Sequence, residues 1–244
     1  MSEQSQHIAS AFDRDLESIQ ALVMKMGGLV EAAIRDSAQA LKARDLELAE
    51  KVRKGDQKID ELEDLINTHC AQVIAMRQPI ASDLRTVLTV MKIAGNLERI
   101  GDYAKNLAKR TEVLSHMQPI GDATSAIKRM AREVEHMLND GLDAYIRRDA
   151  KLADDVRHRD LEVDQMYNAL FREFLTFMME DPRNITACMH LHFIAKNIER
   201  MGDHVTSVAD QVIYLATGTM PGDPRPKDNQ SIYKVDGALD EADE

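Results

Sequence analysis

The sequence predicts an all-α protein: two tandem three-helix bundles, six long antiparallel helices in all, followed by a disordered acidic C-terminal tail. Three observations carry that reading. Stretches such as 38–52 consist mostly of Ala, Leu, Lys, Arg, Glu and Asp, a composition that favours helix, and no strand-like alternation stands out. Prolines 79, 119 and 182 fall between long periodic segments, where a residue that cannot continue a helix belongs. Finally, NLERIGD beginning at Asn96 returns as NIERMGD beginning at Asn197, and both exchanged positions (Leu97 to Ile198, Ile100 to Met201) stay apolar.

Taken in order, the elements follow from these breaks and two more. RDLELAEKV at Arg44 and RDAKLADDV at Arg148 each place an aspartate, Asp45 or Asp149, where an N-cap would start a helix. Five breaks give six helices, expected at 6–43, 45–76, 82–112, 122–147, 149–180 and 184–216. Arg44, Asp45, Leu48, Ala49, Val52, Asp56 and Asp60 match Arg148, Asp149, Leu152, Ala153, Val156, Asp160 and Asp164 at an offset of 104, against 101 for the NLERIGD pair. The second copy is therefore three residues shorter in the turn near Pro79 or Pro182. The expected division is 1–117 for the first bundle, 118–217 for the second and 218–244 for the tail, with MQPIGD at 117–122 as the joint. That tail holds half the prolines and seven acids against three bases, a disorder-prone composition.

Charge and composition narrow the function. A net charge of −11 and 4% aromatic residues speak against nucleic-acid binding, which needs a basic surface and stacking rings. There is no uncharged apolar run near the roughly 18 residues of a membrane span, and no signal-peptide pattern at the start, so direct membrane insertion is not expected. Cys70 and Cys188 stand alone, which fits a reducing cytoplasm.

The chemistry-bearing feature is a set of paired carboxylates. Val90, Ile93, Leu97, Ile100, Ala104 and Leu107 form a core stripe at helical spacing, and Glu98 and Asp102 lie to one side of it. Asp56 and Asp60 flank the row Leu48, Val52, Ile59, Leu62 and Ile66. Asp160 and Asp164 beside Val163, with Glu199 and Asp203 beside Ile198 and Met201, repeat the arrangement. Like charges four residues apart repel, and a helix-interior glycine costs about 1 kcal/mol against alanine, yet each copy keeps both. Gly101 and Gly202 would let an ion, a water or the neighbouring helix approach. Adjacent antiparallel helices would gather four carboxylates along one partly wet groove per bundle. Such an oxygen donor set suits Mg²⁺, Ca²⁺, Mn²⁺ or iron, and the absence of thiolate clusters disfavours structural zinc.

Lys105 and Lys196 are placed to neutralise Asp102 and Glu199, whereas Arg99 and Arg200 point elsewhere on their helices. His192, seven residues before Glu199, reads better as a satisfied or exposed histidine than as a ligand. In MKMGGLV at Met24 the glycine pair suits close helix packing, because a P-loop would need a preceding strand and a GKS or GKT. The methionines suit core filling or an adaptable interface. A carboxylate-bridged di-metal enzyme is the alternative, but its Glu-x-x-His pattern is missing, since Gly101 and Gly202 stand where the histidine would be. A metal-free helical scaffold with solvated acid pairs is the other.

MGGLVE at Met26, MRQPIASDLR at Met76, NLERIGD, MMEDPRNI at Met178 and NIERMGD, in that order, make residues 7 to 216 resemble the PhoU family of phosphate-signalling regulators; the tail is not covered. The resemblance implies a non-enzymatic homodimer in the cytoplasm, peripheral to the inner membrane through its protein partners. It further implies an adaptor between a phosphate ABC transporter's ATPase and a sensor histidine kinase, which keeps the phosphate-starvation response repressed when phosphate is plentiful. The family's E(D)xxxD motif is associated with Mg, Mn, Fe or Zn. By position it falls on Glu98 with Asp102 and Glu199 with Asp203, and in its second-helix form on Asp56 with Asp60 and Asp160 with Asp164. That association reopens zinc.

Overall fold

The computed structural model describes residues 3–222, with side chains described from residue 12 onward. Six helices follow one another: α1 Glu3–Ala43, α2 Leu46–Arg77, α3 Ser82–Ser115, α4 Ala123–Arg147, α5 Ala150–Glu180 and α6 Ile185–Thr217. No strand occurs among the described residues. The expected boundaries hold to within three residues. The expected tail is described only at 218–222; its remainder lies outside the described residues.

The breaks have the anticipated chemistry. Asp45 accepts from the Leu48 amide at 2.9 Å, and Asp149 accepts from the amides of Lys151 and Leu152, both at 3.0 Å. Each cap satisfies donors at the first turn that have no intrahelical acceptor. Just before them, Arg44 and Arg148 take left-handed φ values of 54° and 51°, a turn the sequence did not announce because neither is glycine. Pro182 opens a short 3₁₀ turn, Pro182–Asn184, between α5 and α6.

α1, α2 and α3 pack on one another, as do α5 and α6 with α4. The halves are joined along their length by α3 against α6 and α1 against α4, and one continuous apolar core runs through both. α3 and α6 run antiparallel: Arg85 lies against Tyr214 and Gly218, while Arg110 lies against His190 and Phe193. The six α3 stripe residues are all fully buried. Of the glycine pair, only Gly27 serves close packing: a Cβ there would stand 2.4 Å from Leu142 of α4, while one on Gly28 would meet open space.

Candidate functional site: two acidic clusters beside the NxERxGD turns

Antiparallel α2 and α3 bring Asp56 against Gly101 and Asp102. A Cβ on Gly101 would lie 3.0 and 3.3 Å from the Ile59 methyls and 3.6 Å from Asp56 Oδ1, so the missing side chain lets α2 approach closely. Asp56 is buried and Asp102 is half-buried. Lys105 reaches across the helix pair and donates to Asp56 Oδ2, and also to Asp102 Oδ1 at 2.8 Å. Asp60, expected in the same groove, is exposed.

Arg99 does not point away as expected. Its Nε stands 3.3 Å from Glu98 Oε2 and its Nη1 3.7 Å from Asp102 Oδ2. The long stem lets a guanidinium fold back over its own helix, which a helical-wheel angle cannot register. Burial is uneven along each groove, with Asp60 exposed and Glu98, Asp102, Glu199 and Asp203 half-buried. Asp56, Asp160 and Asp164 are 5%, 1% and 9% exposed, and beside Asp56 and Asp160 the glycines let the helices approach closely.

The electrostatics follow the geometry. Burial, with the Asp102 carboxylate alongside and Glu63 of α2 nearby, pushes the Glu98 carboxyl up to about 7. Asp102 is itself pulled below the ordinary carboxylate value: burial opposes this, but hydrogen bonds from Lys105 and Glu98 outweigh it. Asp60 is raised by burial and by the charge of Asp56. Lys105 is raised by its two carboxylate partners despite partial burial.

In the second bundle, α5 and α6 repeat the approach more tightly, since a Cβ on Gly202 would stand 2.7 Å from Asp160 Oδ1. Here Lys196 supplies the cation, its Nζ 2.8 Å from Glu199 Oε1 and 5.2 Å from the centre of the Tyr167 ring. Thr206 stands at the position of Lys105, and Gly95 stands at the position of Lys196. Thr206 and Ser207 hydroxyls donate to the Asp203 carbonyl at 2.7 and 3.0 Å. His192 sits among Tyr167, Phe171 and Phe193, 5.4 to 5.8 Å between ring centres, and burial and Lys196 lower its pKa.

The two motifs are also tied to each other. His204 of α6 bonds Asn96 of α3 through Nδ1 at 2.8 Å and stacks obliquely on Tyr103 at 5.7 Å. Sequence reasoning missed this link and the place of Glu63 beside Glu98. The antiparallel register was the available signal: Asp56 opposite Gly101 sets Glu63 opposite Gly95, where the structure has it, 3.5 Å from a Cβ on that glycine.

The donor chemistry suits a hard cation. All eight predicted residues are carboxylates, and the buried acceptors Asp56 Oδ1 and Glu199 Oε2 have no hydrogen-bond donor. Among the described residues, however, no three His, Cys, Asp or Glu stand together as a ligand set. In this arrangement Lys105, Arg99 and Lys196 supply positive charge.

The fold and site together define a class: a duplicated all-helical protein with one acidic cluster per copy. The PhoU domain family matches residues 23–111 and 127–212, and the chain belongs to that family. Phosphate-specific transport system accessory protein PhoU homologs from Rhizobium meliloti (strain 1021) and Zymomonas mobilis are each 46% identical to it. The first match covers 92% of this chain and 95% of the relative, and the second 91% and 94%. The crystal structure of PhoU from Pseudomonas aeruginosa superposes with a TM-score of 0.82 at 38% identity, over 85% of this chain and all of that one. The phosphate transport system regulatory protein PhoU from Streptococcus pneumoniae gives 0.80 at 28% identity, over 86% and 99%.

Proposed function

We propose that this chain is an accessory regulator of phosphate transport: a cytoplasmic, non-enzymatic homodimer at the inner membrane that joins the phosphate transporter's ATPase to a sensor histidine kinase and represses the starvation response when phosphate is plentiful. The observation that supports this reading is the near full-length match, through both bundles, to relatives named as accessory proteins of the phosphate-specific transport system. No helix of the described residues is long and apolar enough to cross a membrane, so attachment would go through protein partners. The test is deletion combined with affinity purification. Derepressed phosphate-starvation genes and recovery of the ATPase or kinase with the chain are expected. Normal repression and recovery of neither partner would contradict the proposal.

In the same reading the clusters are cation sites for Mg, Mn, Fe or Zn. Asp56, Asp60, Glu98 and Asp102 would hold the ion in the first bundle, and Asp160, Asp164, Glu199 and Asp203 in the second. A bound cation would supply positive charge that could turn an anionic surface towards phosphate or an acidic partner. The chain's own carboxylates would orient around it, and the glycines would admit it between the helices. One observation favours a second reading for the first cluster: Lys105 bridges Asp56 and Asp102 and could act as their permanent counter-ion.

A further inference from the structure

One bundle fills a groove that the other leaves open. Between α1 and α2 lies a groove of about 900 Å³, with Leu29, Ala32, Ala33, Val52, Gly55 and Ile59 among its walls. A Cβ on Gly55 would meet nothing within 4 Å, so no packing within the described residues calls for this glycine in a helix interior. The offset of 104 puts Arg159 at its place in the second bundle, with Glu133 at that of Leu29 and Asp140 at that of Asp36. There the Arg159 guanidinium lies across α4 and α5 and donates to both Glu133 and Asp140. The rims differ as well, because Lys51, Lys54 and Lys58 of α2 correspond to Asp155, His158 and Glu162 of α5. Asp36 and Glu50 also line the first groove, 4.0 Å from Lys51 and 3.5 Å from Lys54, yet those lysine side chains stay 77% and 76% exposed. An apolar wall under a basic rim is thus a property of the first bundle that the fold does not require.

We propose that the chain's own residues 232–244, which lie outside the described residues, dock in this α1/α2 groove. Position and length allow it. Leu215 of α6 borders a small cavity with Leu16 and Gln20 of α1, and Arg77 of α2 bonds Asp15 at 3.1 Å. α6 therefore finishes at the end of the α1/α2 pair where α1 begins and α2 stops. From Gln20 to Ala33 is about 20 Å along α1. Residues 223–231, extended, span up to about 30 Å and leave the rest of the chain for the groove. Chemistry selects the occupant. Ile232, Tyr233, Val235 and Leu239 suit the apolar wall, and Asp236, Asp240, Glu241, Asp243 and Glu244 suit the three lysines, with no base after Lys234. The net charge of −11 makes most approaches of so acidic a segment repulsive, and the lysine rim attracts it. Tethering favours it over a free partner, because a linked segment faces the groove at roughly millimolar effective concentration. Docked there, the segment is a cover that any partner of the groove must displace.

The test is carbodiimide coupling of amines to carboxylates on the full chain, read by mass spectrometry, with circular dichroism to confirm helix content. Residues 236–244 are expected to link to Lys51, Lys54 and Lys58 about fivefold or more above the exposed Lys92, Lys109 and Lys151. Gly55→Gln fills the groove without adding charge and has room for its side chain, so it should cut the groove links about fivefold at unchanged helix content. Leu239→Ser, which lies outside both bundles and keeps every carboxylate, should cut them as well. Equal linkage to the lysines of other faces, or groove links that both variants leave intact, would overturn the proposal. The coupling is run on a mixture of ¹⁵N-labelled and unlabelled chains. Groove links within one chain are expected, and links that join the two labels would give the groove to another copy's segment and overturn the proposal.

Discussion

In the first bundle Lys105 stands one turn after Asp102 and spans two helices; in the second, Lys196 stands one turn before Glu199 and rests on Tyr167. The acids keep their places in both copies, whereas the cations sit at opposite ends of the motif. Burial differs as well, with Asp60 exposed and its counterpart Asp164 buried. Conserved carboxylates with exchangeable lysines are what results when positive charge is required but its source is not fixed. In the first cluster one lysine reaches both Asp56 and Asp102, whereas in the second the lysine contacts Glu199.

The largest expected effect breaks this comparison directly. Lys105→Met leaves Asp56 buried without its cation and should destabilise by about 2–3 kcal/mol, since removing one partner of a buried pair strands the other charge. Lys196→Met, on a more exposed pair, should cost about 1 kcal/mol. Denaturant midpoints in metal-free buffer would rank them, and equal losses would remove the asymmetry. Next come the motif glycines. Gly202→Ala drives a Cβ to 2.7 Å from buried Asp160, an overpacking of about 1–3 kcal/mol against roughly 1 kcal/mol of helix propensity gained, so net destabilisation is expected. Gly101→Ala meets Ile59 methyls at 3.0 and 3.3 Å and Asp56 Oδ1 at 3.6 Å, and should be near neutral in the same assay.

A smaller effect is the pH dependence of the metal-free protein. The Glu98 carboxyl titrates at about 7 when folded, above its ordinary value of 4.5, facing Asp102 and Arg99 on α3 and Glu63 on α2. The folded state therefore binds more protons than the unfolded state between those values, and this contribution to stability is lost as pH rises through them. Asp102, held low, works the other way at acid pH. Thermal melts from about pH 5 to pH 8 should show a falling contribution that Glu98→Gln abolishes, worth a few degrees in Tm. The smallest change sharpens the comparison. Gly95→Ala meets only Glu63 Oε1 at 3.5 Å and should stabilise by about 0.5–1 kcal/mol, setting Gly95 apart from the two motif glycines.

The parts legible in sequence were those fixed by local chemistry and periodicity. Asp45 and Asp149 announced helix starts, prolines announced breaks, and the Val90 to Leu107 stripe identified the buried side of α3. The duplication located Asp56 and Asp160 opposite the two motif glycines. What escaped depended on contacts between helices. The reach of Lys105 to Asp56, the His204–Asn96 link and the depth of burial of Asp160 under Gly202 depend on the register of residues on different helices, which one helix's wheel does not contain. Arg99 escaped for a different reason, because the flexibility of its stem defeats an angular argument.

The proposal that cations bind at both acidic clusters is the one most open to direct test. Elemental analysis and metal titration of the native chain, Glu98→Gln/Asp102→Asn and Glu199→Gln/Asp203→Asn test it most directly. Metal bound to the native chain and lost in step with the clusters removed is the expected result. Metal content identical in all three proteins, or absent from all three, would contradict it and leave the acid pairs as lysine-neutralised parts of the scaffold.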